Sequence, residues 1–453
     1  MLMRRYKTAF PSVLIAAAAC VFFSASCSRQ TDGEDSASAR GRAVSQQAKD
    51  VKKSPGEQLA DLCGKGDFRG AAGLAGLVAD PGARKKLLDK IRPSVSKSLD
   101  AALDSCDFKT AVDAANLLSL FIPDSERKAL EGEISKRYRA LYNDGRFGKV
   151  VEFYNLASPK FLSGAEAEKL LQSAYANLGE AEKSFEVAGK LYKSNPDSIE
   201  IQEIYINAKI DSGRAGEALS EVRGALLAKD KYNADYHRLA ARAAEAAGDI
   251  DLASEEYLQA AYYSKGKISI LVECGNFFVK HSKNKEYKKI LAPAARINQD
   301  SPIETVVAYG YLQALGYSKS KMRDLNLLGN VIDYAPLFID AHFLLADWLM
   351  ESGVKEDVVH AVGLLQALSL RFKEKNDAVM IKILEISSSD AEFDKIAKEI
   401  LRKLADRFSE PGYGNLSDRK KFLEVLESLS KKNWELAGEC KAALLKIPGA
   451  KMR

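Results

Sequence analysis

Gly179, Gly213 and Gly248 lie 34 and 35 residues apart, and each separates two stretches whose apolar residues recur at helical intervals. Glycine is the usual residue where a helix ends in a left-handed turn. The spacing therefore predicts a helix–turn–helix unit of about 34 residues, repeated in tandem. The clearest unit runs from Ala234 to Ser264, with Ala240, Ala241 and Ala244 before the turn and Ala253, Tyr257 and Ala260 after it. Small residues at that spacing let two antiparallel helices approach closely, while the bulky one fills the gap to the next unit. Downstream, Ser301-Pro302 and Ala335-Pro336 are again 34 apart, and Gly353 follows Leu345, Ala346 and Leu349.

The flanks keep this logic at other lengths. Gly66-Asp67-Phe68, Cys106-Asp107-Phe108 and Gly145-Arg146-Phe147 lie about 40 residues apart, and each opens an apolar stretch: Ala71, Ala75 and Val78; Ala111, Ala115 and Leu118; Val150, Tyr154 and Ala157. After residue 374, helical runs over 378–386, 393–408, 419–429 and 434–445 make two degenerate hairpins, with Glu410-Pro-Gly-Tyr-Gly-Asn415 as the break between them. No run of strand-like alternation occurs. The reading is all-α, an α-solenoid of about eleven hairpins and 22 antiparallel helices. The 34-residue unit, with Ala240-Ala241, Ala244 and Gly248 on one helix and Ala253, Tyr257 and Ala260 on the next, resembles the tetratricopeptide repeat (TPR). The resemblance is good over 165–267. It is looser over 268–371, where Gly310 and a turn near Ser318–Ser320 fall in stretched or shortened units.

The amino terminus carries an address. Arg4, Arg5 and Lys7 precede eleven residues, Val13–Phe23, without a charge or polar amide; Ser24-Ala25-Ser26 and Cys27 follow. This is the pattern of a secretory signal peptide, and its apolar core is too short to span a bilayer. Cys27 after Ala25-Ser26 resembles the lipobox of bacterial lipoproteins, which implies cleavage before Cys27 and acylation of its sulfur. Ser24 departs from the leucine usual at that position. Residues 28–54 hold almost no large apolar side chain and read as a disordered tether. The organisation is a signal peptide (1–26), a tether (27–54), N-terminal TPR-like hairpins (55–160), a central TPR array (161–374) and a C-terminal cap (375–453).

Lysine and arginine total 67 against 62 acids, and the first 26 residues carry three cations and no acid. The remainder is almost neutral, which argues against nucleic acid as the main partner. Cys63, Cys106, Cys274 and Cys440 form no CxxC pair and read as buried free thiols. The four histidines are at least 18 residues apart, and no nucleophile elbow, phosphate loop or zinc-protease motif occurs. The chain therefore reads as non-catalytic, without cofactor or metal. Glu255-Glu256 reads as a solvated helix face, and the basic cluster Lys280–Lys289 as a solvated loop.

In the TPR family, the second, fifth, ninth and twelfth positions of each first helix line a concave groove. Counting back from the turn glycines, the resemblance places there Glu166, Lys169, Ser173 and Ala176; Glu200, Glu203, Asn207 and Ile210; and Asp235, Arg238, Arg242 and Glu245. The candidate partner-binding residues are Lys169, Ser173, Glu203, Asn207, Arg238 and Arg242. Arg238 and Arg242, four apart on one helix face, could fork a partner carboxylate; the alternative is pairing with acids such as Asp235 and Glu245. Lys169 fits the carboxylate-clamp subclass, but Ser173, Ile204 and Leu239 do not. The expected function is a membrane-anchored scaffold binding a protein or peptide in the bacterial cell envelope; the alternative is a surface-exposed adhesin towards host components. One consequence is immediate. Ala253→Asp, which places a charge in a helix crossing, should destabilise the array by several kcal/mol, read as a lower urea midpoint.

Overall fold

The computed structural model describes residues 53–297, 300–317, 324–372, 376–387, 393–431 and 436–448. The stretches expected to be signal peptide and tether, with Cys27, lie outside the described residues up to residue 52, as does the turn expected near Ser318–Ser320. From Lys53 onward the chain forms one compact unit, and among the described residues every regular element is a helix.

The first three hairpins pair α1 (Pro55–Gly64) with α2 (Phe68–Ala75), α3 (Pro81–Asp104) with α4 (Phe108–Ser119), and α5 (Asp124–Asn143) with α6 (Phe147–Ala157). The next three pair α7 (Ala165–Asn177) with α8 (Ala181–Ser194), α9 (Ile199–Asp211) with α10 (Ala215–Glu221), and α11 (Ala234–Ala246) with α12 (Ile250–Tyr263). Then come α13 (Ile268–Lys280) with α14 (Asn284–Leu291), α15 (Ile303–Tyr317) with α16 (Leu325–Tyr334), and α17 (Ile339–Glu351) with α18 (Lys355–Arg371). The last two are α19 (Asp377–Ser387) with α20 (Asp394–Ser409), and α21 (Leu416–Ser430) with α22 (Ala437–Lys446). The result is an α-solenoid of eleven hairpins.

One turn closes the first seven. Gly66, Cys106, Gly145, Gly179, Gly213, Gly248 and Ser282 all have positive φ, from 55° at Ser282 to 85° at Gly248. In each, the left-handed residue donates its N–H to the carbonyl three residues back, and the next residue donates to the carbonyl five back. This is the Schellman arrangement, which satisfies the carbonyls a helix end leaves open. The Gly/Cys-Asp-Phe motif follows from it. Asp67 and Asp107 cap α2 and α4 by accepting the Gly70 and Thr110 N–H groups, and Phe68 and Phe108 start the buried face at 2% and 1% exposure. Phe108 stacks on Phe153 of the next unit with ring centroids 4.5 Å apart. The packing alanines are sealed: Ala71, Ala115, Ala240, Ala244, Ala253 and Ala260 are at 0% exposure.

Several details differ from the sequence reading. Ser54 belongs to α1 rather than to a tether: it accepts from the Glu57 N–H, and Glu57 bonds back to its backbone, a reciprocal cap. Gly310, left without a role by the sequence, lies inside α15 at a helix crossing, where a β-carbon would stand 2.8 Å from Val331. α10 continues through a π-type turn (Val222–Leu226), which no spacing in the sequence announces, into Leu227–Lys229. Glu256 is buried at 7% exposure, whereas Glu255 is solvated. All four body cysteines are free and buried; burial pushes the Cys440 thiol up to about 11.

The segment after α20 is more than a break. Gly148 donates its N–H to the Gly412 carbonyl at 2.8 Å, and Gly414 donates to the Gly145 carbonyl at 2.8 Å. Arg146 pairs with Glu410 at 2.9 Å, 264 residues away in sequence, with both side chains 29% exposed. Tyr413 is buried against Phe408. The Glu410–Asn415 loop thus clasps the turn between α5 and α6. The backbones touch so closely that a β-carbon on Gly412, whose φ is +74°, would stand 2.6 Å from the Gly148 Cα. Gly412→Ala should open this clasp, because a left-handed alanine costs about 1–2 kcal/mol before any collision. Hydrogen exchange at the Gly148 and Gly414 amides should rise, while amides of α11–α14 keep their protection.

Candidate functional site

The candidate site is built on the first helices, whose neighbours in the stack lie one repeat apart in sequence. Their facing side chains are joined by polar contacts of recurring offset. Tyr142 and Ser173 hydroxyls meet at 2.6 Å, and Lys169 donates to Glu200 at 2.9 Å; both offsets are 31 residues. Arg139 reaches Glu166 at 3.3 Å, and Lys280 donates to Glu245 at 2.7 Å. Exposed pairs of this kind are each worth about 0.2–1 kcal/mol. Their effect is to fix the angle between units.

The centre of the ladder is on α11. Arg238, only 7% exposed, pairs with Glu203 of α9 at 2.7 Å, with Asp235 at 3.2 Å and with Glu273 of α13 at 3.4 Å. Arg242 forks Glu273 through Nε and Nη2, the latter at 2.7 Å, and donates Nη1 to Asn207 at 3.1 Å. The Tyr257 hydroxyl also donates to Glu273, at 3.1 Å. Burial alone would pull both guanidinium pKa values down; Glu203 beside Arg238 and Glu273 beside Arg242 more than offset it and hold them up.

Four of the six candidate residues, Glu203, Asn207, Arg238 and Arg242, therefore come together in one network. Lys169 and Ser173 sit two units earlier, engaged with Glu200 and Tyr142. Arg238 and Arg242 are not open forks: their carboxylate partners are supplied by the neighbouring helices. Asp235 does pair with Arg238 as the alternative had it, but Glu245 pairs with Lys280 and His281 instead of Arg242. Lys283 is likewise paired, with Asp251 at 2.6 Å, so part of the basic cluster is neutralised by the unit before it.

Glu273, the hub, escaped the sequence reading because it stands one residue off the groove positions: with Ser282 as the turn residue these fall on Ser269, Val272, Asn276 and Val279. The count of unit positions stopped at Gly248. A usable signal existed: Glu273 follows Arg242 by the same 31 residues that separate Lys169 from Glu200. Beside the network lies a cleft of about 460 Å³, lined by Arg242, Glu245, Ser269, Glu273, Asn276 and Lys280 over Tyr257, Val272 and Phe277. Charged walls of both signs over an aromatic floor suit an extended peptide, with backbone amides on Asn276 and Ser269 and a side chain on Phe277. No cluster of three metal-ligating side chains occurs among the described residues.

The fold is a TPR-like α-solenoid. The chain is similar in structure to the human IFIT1 dimer with m7Gppp-AAAA, at 16% identity over 88% of this chain and 91% of that one, with a TM-score of 0.35. A monomeric mutant of IFIT1 with Gppp-AAAA gives 16% identity over 87% and 85%, with a TM-score of 0.37. The Cut9–Hcn1 hetero-tetramer of the APC/C gives 14% over 83% and 76%, with a TM-score of 0.31. No family model and no curated protein sequence matches the chain.

Two predictions follow from the charges. Glu273→Ala leaves two guanidinium groups facing each other, and should lower stability by about 2 kcal/mol, less than for a fully buried pair because the carboxylate is 21% exposed. Glu273→Gln should recover part of it in the same urea titration. His237 has Nδ1 2.7 Å from Glu256 and Nε2 2.9 Å from the Lys231 carbonyl. Burial lowers its pKa, but these acceptors outweigh it and the net direction is up from 6.5. A raised value means its contribution is complete below 6.5 and lost as pH rises through the folded pKa. The urea midpoint should therefore fall across that window, and His237→Gln should flatten the fall.

Proposed function

We propose that this chain is a non-catalytic protein-interaction scaffold, held at a bacterial envelope membrane by an acylated Cys27, which takes a polypeptide segment of its partner in the groove of α9, α11 and α13. The observation that carries the reading is the 460 Å³ cleft beside the Arg238–Arg242–Glu273 network. Its charged side chains are already mutually satisfied, so a partner meets fixed, balanced walls around Tyr257 and Phe277 rather than a bare cationic track. Such preorganisation lowers the ordering cost of binding. A phosphate backbone would ask for uncompensated cations, which is why a polypeptide is preferred here over RNA. No described helix is long and apolar enough to cross a membrane. Anchoring is assigned to Cys27 on the sequence pattern alone, with the acyl chains supplying about 0.8 kcal/mol per buried methylene.

A photo-crosslinker at position 276, on the cleft wall, should capture polypeptide in living cells, and Arg242→Ala should reduce the yield severalfold. Adducts made only of RNA would overturn the polypeptide reading. Cys27→Ser should shift the chain from the membrane to the soluble fraction and remove the mass of the acyl groups; an unchanged distribution would remove the anchor. Digestion by protease added to intact cells would move the assignment to the host-directed surface role.

A further inference from the structure

The second helices of the first three hairpins carry a separate feature. Arg69 and Ala72 of α2, Lys109, Val112, Asp113 and Asn116 of α4, and Leu156 of α6 line a cleft of about 550 Å³, completed by Leu120 and Lys160. That volume lies within the ~300–1,000 Å³ of clefts that hold a small ligand or a few side chains. The three cations are exposed, and among the described residues none of them forms an ion pair. Lys160 has one hydrogen bond, to the Asn116 side-chain oxygen at 2.7 Å. This contrasts with the first-helix face, where Lys169, Arg238, Arg242 and Lys280 are each paired with a carboxylate.

The surplus is real but local. Asp113, one helical turn from Lys109, offsets one of the three charges. Arg127, near Lys160, is itself paired with Asp124 at 3.3 Å; burial and then Arg127 both lower the Lys160 pKa. Between the cations two leucines remain open, Leu120 at 46% and Leu156 at 43% exposure. Open leucines beside unpaired cations make an amphipathic receptor, and its complement is a ligand with carboxylates flanking an apolar side chain.

We propose that this α2–α4–α6 cleft is a second docking site, for an acidic polypeptide segment that sets carboxylates on Arg69, Lys109 and Lys160 and an apolar side chain between Leu120 and Leu156. The observations favour a peptide over the other anionic macromolecules. A bilayer surface is broad and reads a spread of lysines, whereas these cations converge on one concavity. A nucleic acid needs a track of cations along its backbone, and the Asp113 carboxylate in the lining would repel phosphate while accepting a peptide N–H. The site goes beyond the groove of the first helices: it uses other helices and a different electrostatic logic.

The test uses the full chain carrying Cys27→Ser, so that no acyl group contributes, and a fluorescent ten-residue peptide of alternating glutamate and leucine. Anisotropy should show saturable binding that weakens about tenfold or more in Lys109→Glu and again in Lys160→Glu, and that weakens with added salt. Leu156→Ser should weaken it without changing the salt slope. All three positions are on the surface, so circular dichroism should show helicity unchanged, which separates lost binding from lost fold. The glutamine-for-glutamate peptide should not bind. The proposal is overturned if the acidic peptide fails to bind, if the neutral peptide binds equally, or if the charge reversals leave binding unchanged. Displacement of the peptide by phosphatidylglycerol vesicles or by polyuridylate, each binding more tightly at this cleft, would overturn it in favour of lipid or RNA. Crosslinking at position 276 is unaffected by these substitutions, so the two sites fail or succeed separately.

Discussion

A helix that ends leaves carbonyls open, and in this molecule the way they are closed sets everything that follows. One residue turns left-handed, two reciprocal backbone bonds form, and the chain reverses within a fixed number of residues. Seven times between Gly66 and Ser282 the same geometry recurs. Because the reversal is the same, the second helix returns against the first in the same way, and alanine fills that crossing in four of the seven units, at Ala71, Ala111, Ala218 and Ala253. Neither helix could bury its apolar stripe alone; the stack supplies the other wall. A cysteine or serine can hold the left-handed position, as Cys106 and Ser282 do, but at a conformational cost of about 1–2 kcal/mol that the packed neighbours must absorb.

This explains what the sequence disclosed and what it hid. Glycine at the left-handed position is a visible mark, so the units around Gly179, Gly213 and Gly248 could be counted to the residue. The Gly/Cys-Asp-Phe pattern was visible too, because a left-handed turn, a helix cap and a buried ring occupy three consecutive positions. The unit closed by Ser282 carried no such mark, and Glu273 stands one residue off the groove positions of that unit, so it went unnoticed. The clasp was hidden for a different reason. Two of its contacts are backbone hydrogen bonds between glycines, which have no side chain to advertise the pairing. Glu256 was misread because its neighbour Glu255 is ordinary; only the position of His237 on the adjacent helix shows that one acid of the pair faces inward.

The groove residues show how a family pattern should be used. Position in the repeat picked out Glu203, Asn207, Arg238 and Arg242, which the structure brings to one place. It could not say that the arginines would be claimed by carboxylates of the neighbouring units. Those pairs cost little individually, yet they change the meaning of the site. An unpaired arginine offers a partner its charge; a paired one offers its shape and its fixed donors. On the proposed function, a ligand of the α9–α11–α13 groove would be selected by fit to Tyr257, Phe277 and Asn276 more than by net charge. On the second helices of the first hairpins the reverse holds, because there the cations have no acids across the repeat.

A linear array gains stability only from nearest neighbours, so its curvature is soft and thermal motion spreads along it. The Glu410–Asn415 clasp adds a contact that links the third hairpin to the last. The half-buried Arg146–Glu410 pair and two backbone bonds are modest in energy, of the order of 1 kcal/mol each. Their leverage is geometric: by fixing the distance between remote units they limit the bending available to all the hairpins between, including those that form the groove. The ion-pair ladder on the first helices sets the angle from one unit to the next, and the clasp sets the sum of those angles. Widening the first-helix groove must strain both at once, so the contact at glycines 148 and 412 is coupled to that groove energetically although it lies on none of its walls.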